Sequence, residues 1–231
     1  METGKAGEAK NGDGKSWAAK AGMSEMPEMG GEVGVRARLL LAAETLIAER
    51  GFEAVSARDI TGYAGVNLAA INYHFGSKDA LLLQIFRTRA AELNRERAAL
   101  LRAAMAAPTP DARSILSALI EPPTLWINDE RRTALRFLNR ARSEGPLEVR
   151  QIIRTEVDHL RRFADALDQA LPHLDREEIL WRLHFALGVL HHNSAADFER
   201  LARMSDGLCK PDNREALLHR LLSFIAAGFG I

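Results

Sequence analysis

Apolar side chains recur at helical spacing from Leu39 almost to the C-terminus, and each stripe ends on a Gly, a Pro or a capping residue. Such a chain folds as packed α-helices, and nowhere does it alternate apolar and polar residues as a half-buried strand must. Val35 to Arg50 sets Leu39, Leu40, Ala43, Leu46 and Ile47 on one side and stops at Gly51. Ser56 to Ala64 makes a second, short helix; after Gly65, Asn67 caps a third that ends near Phe75. A long fourth helix starts at about Lys78, with Asp79 in the first turn where negative charge suits the dipole. It runs toward Met105 until Pro108 and Pro110 close it. Further helices are predicted from Asp111 to the Pro122-Pro123 pair, from Glu130 to Ser143, and from Leu147 to Leu171 as one element. Asp175 to about His192, a short piece over Asp197 to Met204, and a terminal helix capped by Asn213 complete an all-α chain without a fixed-period repeat.

Within this series the pair joined at Gly65 is the most informative. Ile60, Ala64, Val66 and Ile71 fall where two short helices would pack together, and Phe75 extends the buried side. Ser56 and Asn67 stand at N-cap positions, their side-chain oxygens placed to accept from backbone N–H groups two or three residues on. Gly65 carries no Cβ and tolerates the positive φ of a sharp turn. The pair has the length and turn of a helix-turn-helix that inserts its second member into the DNA major groove. A plain αα-hairpin shares this pattern.

Charge narrows the kind of partner. The 31 Lys and Arg balance the 31 Asp and Glu, which excludes a polycation that coats nucleic acid by bulk charge. Residues 34–89 hold seven basic against five acidic side chains, a net +2, and residues 1–33 hold four against six, a net −2. A mildly basic head must lean on geometry as well as charge. No run approaches a membrane span and no signal-peptide core is present, so a cytoplasmic location without membrane contact is expected. Cys209 is the single cysteine, which leaves neither a disulfide framework nor a thiolate cluster within one chain.

Leu41-Ala42-Ala43-Glu44 through Glu49-Arg50-Gly51-Phe52, Asp59-Ile60, Ala64-Gly65-Val66, Tyr73-His74-Phe75 and Ser77-Lys78 together closely resemble the TetR family of bacterial transcriptional repressors. The resemblance implies an N-terminal three-helix DNA-binding domain over 34–80 and a C-terminal helical effector-binding and dimerisation domain over 81–231, with 1–33 a flexible tail. The family's recognition-helix slots fall on Asn67, Leu68, Ala69, Ile71, Asn72-Tyr73-His74 and Phe75. Two depart from the usual pattern: Ala69 stands where Gly is common, and Asn72 where Tyr is common. Tyr73, His74 and Lys78, with Ser56, would reach phosphate oxygens and set register, whereas Leu68, Ala69 and Asn72 would meet base edges. Arg58 could touch phosphate or guanine.

The same resemblance implies a homodimer through the last two long helices, which carry more apolar surface than one partner helix hides, and hence a palindromic double-stranded operator. Leu171-Pro172-His173-Leu174, Glu177-Glu178, Trp181-Arg182-Leu183-His184-Phe185 and Leu187-Gly188 look like a branch of the family that contains regulators of fatty-acid metabolism. That implies a small apolar effector such as an acyl chain or acyl-CoA, in a tunnel near Phe86, Leu116, Leu119, Trp126, Phe137 and Phe163, with Arg140 for its carboxylate. Repression relieved by ligand is the expected logic, with no cofactor or metal.

Two other classes compete. A metal-dependent helical enzyme would draw on His184, His191 and His192 with Asp197 or Glu199, but no histidine pair at the i, i+4 spacing of a zinc helix occurs with a catalytic Glu. No phosphate-cradling glycine loop or dinucleotide fingerprint is present, so an enzyme is not expected. An effector-binding protein without DNA binding is the third reading, kept open by Ala69 and Asn72.

Overall fold

The computed structural model describes residues 32–231 apart from 127, 192–194 and 211. Residues 1–31 of the expected tail lie outside the described residues, and the first helix already begins at Glu32. Two compact units divide the chain at Gly34, and the packing described below is that of Val35–Ile231. The elements are α1 (Glu32–Arg50), α2 (Ala57–Ala64), α3 (Ala69–Phe75), α4 (Lys78–Met105), α5 (Ala112–Leu125) and α6 (Asp129–Glu144), then α7 (Leu147–Thr155), α8 (Asp158–Ala170), α9 (Arg176–His191), α10 (Ala195–Met204) and α11 (Arg214–Gly228). The described residues form no strand. None of their helices is long and apolar enough to cross a membrane.

Local chemistry sets most of these boundaries. Ser77 Oγ accepts from Ala80 N at 3.0 Å, Asp111 Oδ2 from Ser114 N at 2.9 Å, Asp175 Oδ1 from Glu178 N at 2.8 Å and Asn213 Oδ1 from Ala216 N at 3.0 Å. Each such cap contributes about 1 kcal/mol.

Two expected boundaries are overturned. The Pro122-Pro123 pair does not stop α5, which continues to Leu125. Each proline removes an N–H that would have bonded the carbonyl four residues earlier, those of Ala118 and Leu119. Arg97 Nε, from α4, donates to the freed Leu119 carbonyl at 3.0 Å, so a neighbouring helix repairs part of the loss. The single helix expected over Leu147 to Leu171 is two, α7 and α8, broken at Glu156-Val157 without Gly or Pro. Val149, Ile152 and Ile153 pack into one core while Phe163, Ala164 and Leu167 pack into another. The apolar stripe keeps its phase across the break, so periodicity could not reveal that its halves serve different cores.

The first of these cores joins α1–α4 to Trp126, Phe137 and Leu138 and to Val149. The second joins Leu101 of α4 to α5, α8, α9 and α11. Helix α4 runs through both, so it is the rigid member common to the two.

Candidate nucleic-acid interface

Helices α2 and α3 meet at Gly65, whose φ of +64° is the left-handed turn expected of it, and the Val66 N–H closes the turn on the Thr61 carbonyl at 3.0 Å. Ile60 and Ile71 are buried between the helices, and Ala64 packs beside them. Ser56 closes a reciprocal cap on α2: its Oγ accepts from Asp59 N at 3.2 Å, and the Asp59 carboxylate accepts from Ser56 N at 2.8 Å. The Ser56 hydroxyl, donating to the Asp59 carboxylate, holds that carboxyl below its ordinary range. Ser56 therefore spends its side chain on the cap and reaches a partner only beyond it. Asn67 Oδ1 accepts from Ala69 N at 2.9 Å, so the expected cap of the third helix is made, one residue earlier than the helix limit would place it.

The face that α3 leaves open is the one that helical spacing demands. Leu68, Ala69, Asn72 and Tyr73 are all exposed, with Leu68 and Asn72, and Ala69 and Tyr73, each one turn apart. Tyr73 is 72% exposed, and His74, half-buried, sets its ring edge-on to Tyr73 at 4.9 Å and to Phe75 at 6.3 Å. Arg58 is exposed on α2. Arg36 stacks over the Phe75 ring at 5.1 Å and donates to Gln84 Oε1 at 2.8 Å.

Lys78 departs from expectation. Its half-buried ammonium donates to the carbonyls of Val55 and, at 3.4 Å, Phe52, so it ties the start of α4 to the loop between α1 and α2. Two of its three donors are thus committed within the head, and one is left for a further acceptor.

Arg140 also departs. In place of a cavity it faces the end of α1, where its Nε and Nη2 donate to the Ala48 and Glu49 carbonyls, each at 3.3 Å. It also pairs with Glu144 at 3.1 Å, and Glu144 accepts from Phe52 N at 3.0 Å. This clamp from α6 satisfies the carbonyls that α1 leaves open and packs over Gly51. Gly51 has a φ of +92°, and a Cβ there would lie 2.4 Å from Glu144 Oε2 and 2.9 Å from Arg140 Nη1. Gly51→Ala is therefore expected to destabilise the protein by about 1–3 kcal/mol, read as a lower midpoint in urea at unchanged slope.

The residues expected to line one effector tunnel are not brought together. Phe86, Trp126 and Phe137 are buried in the first core, and Leu116, Leu119 and Phe163 in the second. Trp126 is further committed by its Nε1–H to Glu96 at 2.9 Å. What sequence reasoning missed is a hub at Arg89, which meets Glu44 on α1 through two bonds of 2.6 and 2.8 Å, Glu92 at 3.1 Å and Glu130 on α6 at 3.0 Å. The Glu44 hydrogen bond is the main cause that raises the Arg89 pKa. Only a buried Glu in the α1 stripe could have signalled it. Of the competing metal set, His192 lies outside the described residues, and no three metal-ligating side chains gather among those described.

Comparison with known proteins places these features. Residues 39–85 match the family model described as bacterial regulatory proteins, tetR family, and residues 117–228 match the tetracyclin repressor-like C-terminal domain. A 57-residue stretch is 42% identical to the HTH-type transcriptional repressor KstR2 of Rhodococcus jostii (strain RHA1), covering 25% of this chain and 28% of that protein. The chain thus aligns with less than a third of that relative's length. A transcriptional regulator from Rhodococcus sp. RHA1 superposes with a TM-score of 0.56 at 21% identity, over 84% of this chain and 96% of the other. The TetR family transcriptional regulator PfmR from Thermus thermophilus does so with a TM-score of 0.57 at 20% identity, over 81% and 96%. At such identities the solved structures speak for the fold.

Proposed function

The chain belongs to the TetR family of bacterial regulatory proteins, and on that premise we propose that it is a homodimeric repressor whose head, residues 34–80, reads a palindromic DNA operator. The observation that carries this reading is the exposed α3 face of Leu68, Ala69, Asn72 and Tyr73 behind a capped glycine turn. Asn72 offers an amide that can bond an adenine edge through two hydrogen bonds, and Leu68 and Ala69 offer apolar contacts to thymine methyls. Tyr73 on that face, with His74 and Arg58, offers polar groups that suit phosphate, and Ser56 and Asn67, which cap the two helix starts, would meet phosphate from there. Lys78 supports the head from within.

Dimerisation through α9 and α11 is supported by what these helices leave uncovered. Trp181 and Phe185 stack at 5.8 Å with His184 edge-on to both, and on α11 Phe224 is 68% exposed. Exposed aromatic surface of this kind is costly in water and would be covered if two copies paired about a two-fold axis. Residues 81–231 would also take up an effector; the resemblance of 171–188 to regulators of fatty-acid metabolism favours one that joins an apolar body to a carboxylate. Binding that favours one head separation over another changes operator affinity by the coupling free energy between the two sites.

The test is selection of bound fragments from random DNA, followed by affinity measurements on the selected site. A palindrome bound by two chains is expected. Asn72→Ala should relax preference at one base step per half-site by about 1–3 kcal/mol. Uniform loss at every position would remove Asn72 from base reading. Failure to enrich any palindrome would overturn the function.

A further inference from the structure

Arg97 is the only basic side chain among the described residues that is buried, at 5% exposure, and it has no carboxylate beside it. Its one hydrogen bond, Nε to the Leu119 carbonyl, leaves the rest of a five-donor guanidinium uncommitted. Elsewhere the chain treats its cations differently: half-buried Arg89 is met by three glutamates. The one neighbour whose charge acts on Arg97 is itself a cation, Arg142. Arg142 is exposed at the surface, and half-buried His159 has its pKa lowered by burial and by the Arg97 charge, so its imidazole is neutral at neutral pH. Burial and Arg142 push Arg97 down to about 9, so it still carries its charge at neutral pH. A buried charge without a counterion is among the most costly features a fold can hold.

Arg97 lines a partly open recess of about 130 Å³ between α4 and α8, together with Asn94, Ala98, Leu101, His159, Arg162 and Phe163. Its walls differ in character: Ala98, Leu101 and Phe163 are apolar, while Arg97, His159, Arg162 and Asn94 are donors. A dry cavity of about 150 Å³ holds a benzene ring. We propose that this recess is a binding site for a small carboxylate with a compact apolar body, its oxygens on the Arg97 guanidinium and His159 and its body against Leu101 and Phe163. The site differs from the one expected at Arg140. It rests on the reading that residues 81–231 bind an effector, and names the ligand's chemical class and its anchors.

The test measures thermal unfolding of the full chain with 10 mM benzoate as probe, beside benzyl alcohol, benzylamine and inorganic phosphate. Benzoate should raise Tm by about 3 °C or more, and each of the other three by less than about 1 °C. Arg97→Gln should abolish the benzoate shift. Should that variant fail to fold, Ala98→Phe decides: it fills the recess from a half-exposed wall, keeps Arg97, and should abolish the shift as well. No shift with benzoate, an equal shift with benzyl alcohol or with phosphate, or a shift retained in Ala98→Phe would each overturn the site. Operator affinity in the same samples separates this from the broader reading: a benzoate shift in Tm without any change in DNA binding upholds the carboxylate site and removes ligand control.

Discussion

Ala69→Glu is expected to abolish operator binding while leaving the fold intact. Ala69 is exposed at the first position of α3, and its N–H is already capped by Asn67. A glutamate there suits the positive end of the helix dipole and would change stability by at most about 1 kcal/mol, upward. Against DNA the same carboxylate meets phosphates and acceptor-rich base edges, and like charges pressed together at an interface cost several kcal/mol. Both heads of a dimer carry the change, so a loss of about 1,000-fold or more in operator affinity should appear by fluorescence anisotropy, with Tm within about 2 °C of the parent. Retention of affinity within tenfold would show that α3 does not enter the groove.

Phe137→Ala should have the largest effect on stability. Phe137 is wholly buried on α6, with its ring centroid 5.3 Å from that of Phe52 in the loop after α1. Truncation removes the ring's transfer free energy and leaves a cavity in a core that helices on all sides hold open, a combination that costs about 3–5 kcal/mol. For a chain of this size the midpoint should fall by roughly 10 °C. The cavity opens beside the Arg140–Glu144 clamp, so the seating of α1 on α6 should loosen too, seen as faster amide exchange at Phe52, whose N–H Glu144 holds. A drop in Tm below about 3 °C would mean that the site collapses and that the packing between head and body is not rigid.

The helix starts at Ser56, Asn67, Ser77, Asp111, Asp175 and Asn213 were legible because a cap is a contact between residues two or three positions apart. The turn at Gly65 was legible for the same reason. The outward face of α3 followed from the burial of Ile71 and the 3.6-residue repeat. Less could be read where a residue has a choice of distant partners. Lys78 and Arg140 each present a long cation that sequence alone assigns to a ligand, phosphate in one case and carboxylate in the other. The fold gives both to backbone carbonyls, Lys78 across 23 residues to Val55 and Arg140 across 92 to Ala48. The aromatic residues expected in one tunnel are all buried, as their apolar character requires, but apolarity does not say in which of two cores a side chain is buried.

By itself the sequence determined the all-α class, the order of the helices, the capped pair around Gly65 and the residues that α3 turns outward, since each depends on spacings within one or two helical turns. Only the tertiary structure decided that α5 runs through Pro122-Pro123, that α7 and α8 part at Glu156-Val157, that Arg89 gathers three glutamates and that Arg97 is buried without one. The physical reason is common to all four. A carbonyl orphaned by proline, a stripe shared by two cores and a charge taken out of water are settled by whichever group a remote helix brings within about 3 Å, and local periodicity carries no record of that group.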